Sequence, residues 1–519
     1  MIRETTLWGL VDRRAEMSPD ALFALDEAGT SMSFSEYRNA SLRLAAGLAA
    51  RGVHRGSTVS WILPTGFPAL LLMAALSRLG AVQVPIIPIY RRREVEFCLR
   101  QTRAELLIVP RVFRGFDYAS LAEDLARDGA VANLIVLDAE LPEGDPGSLP
   151  DEFAHDEADA VRWIYYTSGT TSDPKGVRHT DGSVMQPSYG LAAAMDLRPE
   201  DRIAFVFPVT HLGGANSLVA ALSTGCSHLL VERFDPPSTL DFLAASGVTH
   251  AGAGPVFHKA YLEAQRASGS GTLFPEIRVF QGGGAQKDPK LHFDLKNEIG
   301  GMGILSVYGM TECPIVSLGR SGEPDEKLAY TEGRVNLDET VVHVVRSDGT
   351  TAGAGEEGEL RIRSPQLMKG YVDAALDRDA FDQEGFFKTG DLGSIDADGH
   401  LIISGRIKDL IIRKGENISA AEVENLLLGH PKVRDVAVIG LPDPETGERC
   451  CAVVVSREPE ESLEFEEMVT FLREAELMIQ KIPEQLEIVG ELPRNPSGKI
   501  LKREIRERFA ATPELNTDG

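Results

Sequence analysis

The sequence predicts an α/β protein. A large N-terminal domain has mixed, mainly parallel sheets covered by helices and a small β subdomain, and a small α+β domain follows it. The chain has 519 residues, more than one ordinary domain contains. Its first 160 residues alternate helical and strand patterns, a rhythm typical of parallel sheets covered by helices. After residue 404 the pattern starts afresh over roughly 110 residues, the size of a separate domain.

The composition is that of a globular chain with a strongly acidic balance. Hydrophobic residues make up 43% and charged residues 25%, and the net charge is −25. This charge argues against nucleic acid and anionic membranes as main partners, so an anionic nucleotide would need a local binding site. The five cysteines are scattered without a CxxC pair or a Cys/His cluster, which disfavours zinc and fits a reducing cytosol.

We expect neither a targeting signal nor an integral membrane segment. The N-terminus has no apolar signal-peptide core, and the C-terminus carries no lipidation or peroxisomal signal. The most apolar stretch, 67–88, is interrupted by Arg78, Gly80 and Pro85, which indicates a buried helix and a strand. A cytoplasmic location follows as the expectation.

The first 160 residues contain alternating helices and strands, recognised by helical spacing of apolar residues or by short β-forming runs. Residues 141–150, rich in proline, glycine and acid, are predicted to form a surface link. Helices are expected at 42–51, 69–79 and 95–101, and strands at 58–63, 82–87 and 106–109.

A strand at 161–166 then breaks into a loop of hydroxyl residues. Four hydroxyl residues, at 167, 168, 170 and 171, surround Gly169, and Pro174, Lys175 and Gly176 follow. Main-chain N–H groups, hydroxyls and a lysine are what a polyphosphate needs. The loop lacks the Gly-Lys-Ser/Thr ending of a Walker A motif. Taken alone, a mobile surface turn is the alternative interpretation.

Polar clusters follow the ends of later predicted strands. A glycine triplet at 282–284 and the segment Tyr-Gly-Met-Thr-Glu at 308–312 are the clearest. Open α/β sheets bind ligands at the carboxyl ends of their strands. A turn at 208–214 is predicted to open a helix of small residues at 215–222. Strands are expected at 203–206, 228–231, 248–251, 279–281 and 306–308.

The remaining chain is predicted to be antiparallel at first and then α+β. Residues 334–363 contain short β runs with a Ser-Asp-Gly turn, and a second turn at 396–399 closes a hairpin. A boundary is expected near 404–410. Beyond it, strands are expected at 410–412, 433–440, 450–456 and 486–489, and helices at 420–428 and about 465–473.

Three further motifs complete an ordered set. They are Thr389-Gly390-Asp391, the run Gly-Arg-Ile-Lys-Asp at 405–409 and Pro-Ser-Gly-Lys at 496–499. With the hydroxyl loop and the segment 308–312, they resemble the adenylate-forming superfamily of acyl-CoA synthetases, peptide-synthetase adenylation domains and luciferases. The likeness covers nearly the whole chain. It implies an AMP-binding domain at 1–404, a hinge at 405–409 and a mobile C-terminal domain at 410–519.

The resemblance also implies a two-step reaction with ATP, Mg²⁺ and CoA. A carboxylate attacks the α-phosphorus of ATP to give acyl-AMP and pyrophosphate, and a thiol, usually of CoA, then displaces AMP. Lys499 matches the lysine that reaches the carboxylate and the α-phosphate, where a mobile cation suits the developing charge. Thr311 matches the α-phosphate contact and Glu312 the Mg²⁺ carboxylate. His211 matches a residue beside the acyl pocket, with a gating role as one interpretation and a structural role as the other.

The resemblance assigns the nucleotide to residues along the whole chain. Tyr308 matches the aromatic that stacks on adenine, and Asp391 matches the ribose carboxylate, with Arg406 as its partner. Ser172 replaces the usual glycine and slightly stiffens the phosphate loop. The ATP and AMP contacts expected are Thr167, Ser168, Gly169, Thr170, Thr171, Lys175, Gly283, Gly284, Ala285, Tyr308, Gly309, Met310, Thr311, Asp391 and Arg406.

The hinge, the CoA site and the acyl pocket are assigned in the same way. Lys408 matches the hinge, where rotation would withdraw Lys499 and bring Lys414 and Gly415 to CoA. Small residues in the pocket suggest room for a bulky or branched apolar acid, and Cys313 is not expected to be a nucleophile. The acyl-pocket candidates are Phe207, His211, Gly214, Ser217, Gly282, Met310 and Cys313.

Three functional hypotheses follow from the sequence. The leading one is an AMP-forming acid:CoA ligase for a fatty, alicyclic, aromatic or steroid-derived carboxylic acid. The first alternative is an acyl-AMP ligase that loads a carrier protein. The second is a catalytically inactive nucleotide-binding regulator, against which Lys499, Glu312 and Asp391 argue. The expected partners are the acid, ATP and CoA, and a homodimer is the candidate assembly.

Overall fold

The computed structural model describes residues 1–137, 141–150, 159–167, 174–269, 271–285, 287–413, 416–458, 460–495 and 498–510. The chain forms two compact units. The first comprises Met1–Val341 and Arg363–Phe381, and the second comprises Val342–Ile362 and Asp382–Gly519. The boundaries of these units differ from the predicted domain boundary, which follows residue 404. The predicted hinge at 405–409 lies inside the second unit. Its role as a hinge stays a prediction.

The first unit alternates strands with helices, as the sequence predicts. Its helices are Leu7–Met17 (α1), Phe34–Ala49 (α2), Phe67–Arg78 (α3), Arg92–Thr102 (α4), Tyr118–Arg127 (α5), Asp181–Ala194 (α6), Leu212–Thr224 (α7), Ser238–Ala245 (α8), Pro255–Ser268 (α9), Pro289–Glu298 (α10), Asp325–Tyr330 (α11) and Asp377–Ala380 (α12). Its strands are Leu22–Asp26 (β1), Ser31–Ser33 (β2), Thr58–Trp61 (β3), Val82–Pro85 (β4), Leu106–Pro110 (β5), Val112–Phe113 (β6), Phe116–Asp117 (β7), Asn133–Leu137 (β8), Val161–Thr167 (β9), Lys175–Thr180 (β10), Arg202–Phe205 (β11), Ser227–Leu230 (β12), His250–Ala251 (β13), Val279–Gly283 (β14), Ile304–Met310 (β15), Cys313–Leu318 (β16) and Arg334–Val335 (β17).

Two large sheets form the first unit. The larger has nine strands in the order β17-β16-β15-β14-β13-β11-β12-β1-β2, parallel from β15 to β1 and antiparallel at both edges. The other has the order β10-β9-β4-β3-β5-β8, antiparallel only between β10 and β9. The largest buried cluster contains Trp61 of one sheet, Phe205 of the other, and side chains of α3 and α7. The predicted fold class, mixed but mainly parallel, is confirmed.

Four helices begin earlier than predicted: α3 by two residues, α4 and α7 by three, and α2 by eight. For α2 and α7 a cap explains the difference. Helix α2 begins at Phe34 instead of residue 42, because Ser33 and Glu36 form a capping box in which each side chain bonds the other residue's N–H. Helix α7 begins at Leu212 instead of residue 215, because His211 caps it with Nδ1 accepting from Gly213 N–H at 3.1 Å. The glycines of the predicted turn therefore lie in the first turn of the helix.

The end of β15 differs from the prediction in a way that shapes the site. The strand was expected to end at Tyr308, but it continues to Met310, and β16 returns antiparallel from Cys313. Thr311 and Glu312 therefore form the tip of a hairpin. A Cβ on Gly309 would lie 2.0 Å from the Pro314 carbonyl oxygen, so this hairpin requires glycine there.

The second unit contains two antiparallel-rich sheets and three helices. Its strands form the sheets β18-β19-β20-β21 and β23-β22-β25-β24, and β26 pairs parallel with β25. The strands are Val341–Val345 (β18), Gly358–Arg363 (β19), Phe387–Ile395 (β20), Leu401–Arg406 (β21), Leu410–Arg413 (β22), Glu416–Ser419 (β23), Val433–Asp443 (β24), Gly447–Ser456 (β25) and Gln485–Val489 (β26), and the helices are Ala420–Leu428 (α13), Phe465–Glu474 (α14) and Lys502–Ala510 (α15).

The antiparallel sheet of 341–406 belongs to the second unit because it packs on the C-terminal elements. Ser419 donates its hydroxyl to the Ser404 carbonyl oxygen at 2.9 Å, which ties β21 to the start of α13. A Cβ on Gly405 would lie 3.1 Å from the Ser419 hydroxyl oxygen. Among the described residues, we find no helix with the length and apolar character needed to cross a membrane.

The hairpin tip supplies a stability prediction. Gly309→Ala should lower the free energy of unfolding by about 1–3 kcal/mol, because the added methyl group meets backbone that cannot move independently. Thermal unfolding followed by circular dichroism measures the change. Gly490→Ala is the matched control, since no atom lies within 4 Å of its added Cβ; it should stay within about 0.5 kcal/mol. Equal midpoints for the two variants would contradict the assigned packing.

Candidate active site

The predicted site residues that the structure describes fall into two sets, one in each unit. The first set includes the hairpin tip Thr311–Glu312, and the second includes Asp391 and Lys499. Six predicted residues lie outside the described part of the chain: Ser168, Gly169, Thr170, Thr171, Lys414 and Gly415. Their expected roles stay predictions.

The hairpin tip is held by hydrogen bonds from two other segments. His179, near the end of β10, places Nε2 2.7 Å from the Thr311 carbonyl oxygen. Met368 N–H donates to the Glu312 carbonyl oxygen at 2.9 Å, and the Tyr371 hydroxyl donates to Glu312 Oε1 at 2.7 Å. Both the backbone of the tip and its carboxylate are thus fixed before any ligand binds.

His179 acts here as a neutral imidazole. It is fully buried, and burial lowers its pKa to about 4 despite the contact with the Thr311 carbonyl. Since a carbonyl oxygen can only accept, Nε2 carries the proton and donates it to Thr311. Nδ1 lies 2.9 Å from the Ser183 hydroxyl oxygen, which fixes the ring from the opposite edge. The orientation of Thr311 therefore does not depend on pH in the neutral range.

Glu312 is suited to hold a magnesium ion. Its carboxylate is half-buried, so it remains accessible to a ligand. Tyr371 occupies one lone pair of Oε1, and a carboxylate has about four acceptor positions in all. Mg²⁺ prefers oxygen ligands and is usually bound through one or two carboxylates together with substrate phosphates. Glu312 would be that protein ligand.

The two ends of the hydroxyl loop lie side by side. Thr167 at the end of β9 pairs with Lys175 at the start of β10. The Lys175 ammonium lies 5.4 Å from the centroid of the Tyr371 ring, within cation–π distance. One strand, β10, therefore carries both a predicted phosphate ligand and the histidine that fixes Thr311.

The predicted adenine wall is formed by the ends of β14 and β15. A Cβ on Gly283 would lie 2.4 Å from the Val307 carbonyl oxygen, and Gly284 has a φ of +76°, so both positions favour glycine. Tyr308 is half-buried beside them on β15. The next segment is anchored by the buried Lys287, which donates to Ser306 Oγ and to the Thr331 carbonyl oxygen, the latter at 3.0 Å.

The acyl-pocket candidates divide by exposure. Phe207, Gly282 and Met310 are half-buried, and His211 is exposed. Three other candidates are buried, with packing roles of their own: Gly214, Ser217 and Cys313.

Each buried candidate has a structural reason for its identity. A Cβ on Gly214 would lie 2.3 Å from the Val209 carbonyl oxygen, so glycine is needed where the preceding turn meets the start of α7. Its expected role of widening the pocket stays a prediction. The Ser217 hydroxyl lies 3.0 Å from His228 Nε2. Burial raises the pKa of the Cys313 thiol, which is therefore no ready nucleophile.

In the second unit, Asp391 and Arg406 form a pair across two strands. They are register partners on β20 and β21, and Arg406 Nε donates to Asp391 Oδ1 at 2.5 Å. Asp391 is buried, and its N–H donates to the Thr389 hydroxyl oxygen at 2.9 Å. The Thr-Gly-Asp motif is thus a rigid support for one carboxylate.

Lys499 lies in the same group of charges. Burial, and then the positive charges of Arg406 and Lys408, lower its pKa to about 8, although Asp391 and Asp409 act in the opposite direction. Asn495 holds the loop: its side-chain oxygen accepts from Lys499 N–H, and its N–H donates to the Lys499 carbonyl oxygen, both at 2.9 Å. Lys408 itself is exposed, in a single 3₁₀ turn of residues Ile407–Asp409.

Sequence reasoning did not single out His179, Tyr371 or Lys287. The signal for His179 was the capping box of Thr180 and Ser183, which marks the end of β10 and the start of α6 beside it. Tyr371 lies in the mixed segment Lys-Gly-Tyr-Val-Asp at 369–373, and a lone tyrosine usually belongs to the core. Nothing local marks Lys287, since its partners lie 19 and 44 residues away.

Comparison with known proteins identifies the family of this chain. A family model described as AMP-binding enzyme matches residues 11–372, and one for the AMP-binding enzyme C-terminal domain matches residues 422–499. The medium-chain fatty-acid–CoA ligase of Escherichia coli is 30% identical, covering 97% of this chain and 92% of that protein. The salicyl-AMP ligase / salicyl-S-ArCP synthetase of Mycobacterium tuberculosis is also 30% identical, covering 99% and 92%.

A solved structure is similar to this chain over nearly its whole length. The o-succinylbenzoate coenzyme A synthetase of Bacillus subtilis, in complex with ATP and a magnesium ion, superposes with a TM-score of 0.80 at 27% identity, covering 96% of this chain and 99% of that one. Enzymes of this kind use ATP, Mg²⁺ and CoA. The chain belongs to the AMP-binding enzyme family, in the acyl-CoA ligase branch of the adenylate-forming superfamily, and is an AMP-forming ligase.

Proposed function

We propose that this chain is an acid:CoA ligase that activates a hydrophobic carboxylic acid as acyl-AMP and transfers the acyl group to CoA. The observation that carries the proposal is the grouping of Lys499 with Asp391 and Arg406. A half-buried lysine beside the predicted ribose carboxylate is the cation that adenylation needs. The tip residues Thr311 and Glu312 supply the complementary contacts to the phosphates.

In the first step, a carboxylate oxygen of the acid attacks the α-phosphorus of ATP. The new P–O bond forms as the bond to the β-phosphate breaks, and pyrophosphate leaves with its electron pair. The Lys499 ammonium stabilises the charge that builds up on the α-phosphate, and the Thr311 hydroxyl donates to it. Lys175 and the adjoining loop hold the departing pyrophosphate. Glu312 would hold Mg²⁺, which would neutralise phosphate charge.

In the second step, the thiol sulfur of CoA attacks the acyl carbon. A C–S bond forms, the C–O bond to AMP breaks, and the thiol proton leaves to solvent. Rotation at Lys408 would remove Lys499 from the reacting centre and present Lys414 and Gly415 to the pantetheine arm. Gly415 suits this role because it lets a ligand approach the backbone.

The acid is proposed to be apolar. The accessible pocket candidates include Phe207 and Met310, and the set contains no lysine or arginine that would bind a second carboxylate. Among the relatives, the E. coli protein is named for a medium-chain fatty acid and the M. tuberculosis protein for salicylate. The latter favours one alternative, transfer to a carrier protein. The cytoplasmic location and the homodimer stay predictions.

The deciding experiment is a screen of fatty, alicyclic, aromatic and steroid-derived acids for pyrophosphate release, with and without CoA. We expect at least one apolar acid to give CoA-dependent turnover and a thioester detected by mass spectrometry. Acyl-AMP formation without any thioester would contradict CoA as the acceptor and favour the carrier-protein alternative. Nucleotide binding without pyrophosphate release from any acid would favour the regulator.

Lys499→Ala should separate the two half-reactions. Removing a charge that acts in the transition state raises the adenylation barrier by about 3 kcal/mol or more, so adenylation should fall at least about a hundredfold. Thioester formation from supplied acyl-AMP should largely survive. Pyrophosphate exchange measures adenylation, and thioester formation from supplied acyl-AMP and CoA measures the second step. Lys290→Ala, an exposed lysine on α10, is the control and should change neither. Equal loss of both steps in Lys499→Ala would contradict the hinge model.

The lowered pKa of Lys499 predicts a pH profile. The lysine is a cation below its pKa of about 8 and neutral above it, so kcat/KM for ATP in adenylation should fall as pH rises past about 8. This parameter reports the free enzyme. Lys499→Arg keeps its charge at these pH values and should lose the alkaline fall, at a lower overall rate. A wild-type fall only near pH 10, or the same fall in Lys499→Arg, would contradict this assignment.

A further inference from the structure

We propose that Tyr371 is a positioning residue that joins the metal ligand Glu312 to the phosphate ligand Lys175. This inference rests on the proposed function. Its hydroxyl fixes the Glu312 carboxylate, and its ring face receives the Lys175 ammonium. Glu312 would bind the magnesium ion and Lys175 the phosphates, which are the positive and negative parts of one substrate.

The hydroxyl selects one orientation of the carboxylate. The O–H donates to Glu312 Oε1 at 2.7 Å, a charge-assisted hydrogen bond. A glutamate has three side-chain torsions, so holding one oxygen removes much of the freedom that a metal would otherwise have to restrict. With Oε1 held, Oε2 has a restricted set of directions, so a metal ion would meet a ligand that is already oriented.

The chemical state of Tyr371 suits this role. Its hydroxyl must be the donor in the bond to Glu312, because a carboxylate oxygen can only accept. A phenolate would repel the carboxylate. Only 3% of the residue is exposed, so no water competes for the hydroxyl at that bond.

The ring performs the second task. Lys175 Nζ lies 5.4 Å from the ring centroid, and such contacts contribute roughly 0.5–2 kcal/mol. The ammonium is thereby kept near the start of β10, where Thr167 is its register partner. A lysine stem is flexible, so the ring limits the positions from which it meets a phosphate.

The backbone of Tyr371 is anchored well enough to position both partners. Its N–H donates to Asp377 Oδ1 at 2.9 Å, and the residue forms an isolated antiparallel bridge with Val177 of β10. Val372 N–H donates to the Gly176 carbonyl oxygen at 2.8 Å, and Lys369 N–H to the Arg178 carbonyl oxygen at 2.8 Å. The segment 369–372 is therefore tied along the strand that carries Lys175 and His179.

Two substitutions separate the two tasks. Tyr371→Phe keeps the ring and removes only the hydroxyl, so it should disturb Glu312 and leave Lys175 in place. Tyr371→Leu removes both. Tyr165→Phe is the matched control, because Tyr165 is a buried tyrosine of β9 whose hydroxyl has no hydrogen-bond partner among the described residues.

The experiment measures binding of ATP by isothermal titration calorimetry, without acid or CoA, once in EDTA and once in excess Mg²⁺. The ratio of the two dissociation constants is the gain that magnesium provides. Partners that orient a metal ligand typically change metal affinity 10–100-fold, so Tyr371→Phe should reduce this gain by about tenfold or more while the Kd in EDTA stays the same. Tyr371→Leu should weaken binding in EDTA as well, and Tyr165→Phe should match wild type. Circular dichroism verifies that each variant is folded.

The outcomes separate this inference from the proposed function. An unchanged magnesium gain in Tyr371→Phe, or an equal loss with and without magnesium, would overturn the positioning role while ATP binding by the wild type still stands. Wild-type protein that binds no ATP under either condition would overturn the proposed function and this inference together. If Tyr371→Leu does not fold, Tyr371→Phe alone decides, because its core volume is preserved.

Discussion

The first unit's site depends on the hairpin that turns at Thr311 and Glu312. A tight hairpin places two consecutive polar side chains between the end of β15 and the start of β16 in the nine-stranded sheet. Gly309 makes this turn sterically feasible. Hydrogen bonds from His179, Met368 and Tyr371 then remove the freedom that a hairpin tip would otherwise keep. Groups that are held in place in this way need no reorganisation during a reaction, which is how preorganised sites stabilise developing charge.

The same strand connects the hairpin tip to the phosphate loop. Lys175 opens β10 and His179 lies near its end, so a displacement of the strand would move a predicted phosphate ligand and the support of Thr311 together. The pairing of β10 with β9 and with segment 369–372 resists that displacement from both sides. We infer that the loop itself can vary in sequence, as Ser172 illustrates, while the strand that follows it must stay fixed.

Sequence patterns predicted most elements because their causes are local. Hydrophobic periodicity and the turn at 396–399 determine elements from neighbouring residues, and these predictions agree with β20, β21 and α13. Motif resemblance located Asp391 and Arg406, which the structure places as register partners. It did not locate Tyr371 or His179, whose partners lie 59 and 132 residues away and whose residue types are common in cores.

Packing also reassigned the reasons for some glycines. Gly214 was expected to provide space for an acyl group, yet its missing side chain is needed for the approach of α7 to the Val209 carbonyl. A sequence records that a position is glycine without recording which neighbour requires it. The same limit applied to His211, which caps α7 through Nδ1 and is exposed, so a structural role and a role beside the substrate are compatible in one residue.

Local charge explains how a strongly acidic chain can act on an anionic nucleotide. The net charge of −25 repels polyphosphate at long range, but screening limits that repulsion to about 10 Å at ordinary ionic strength. Repulsion from Arg406 and Lys408 contributes, after burial, to the lowered pKa of Lys499. An anion bound beside Lys499 would offset that repulsion and favour the charged form of the lysine. A local group of cations can therefore hold an anionic ligand although the chain as a whole is acidic.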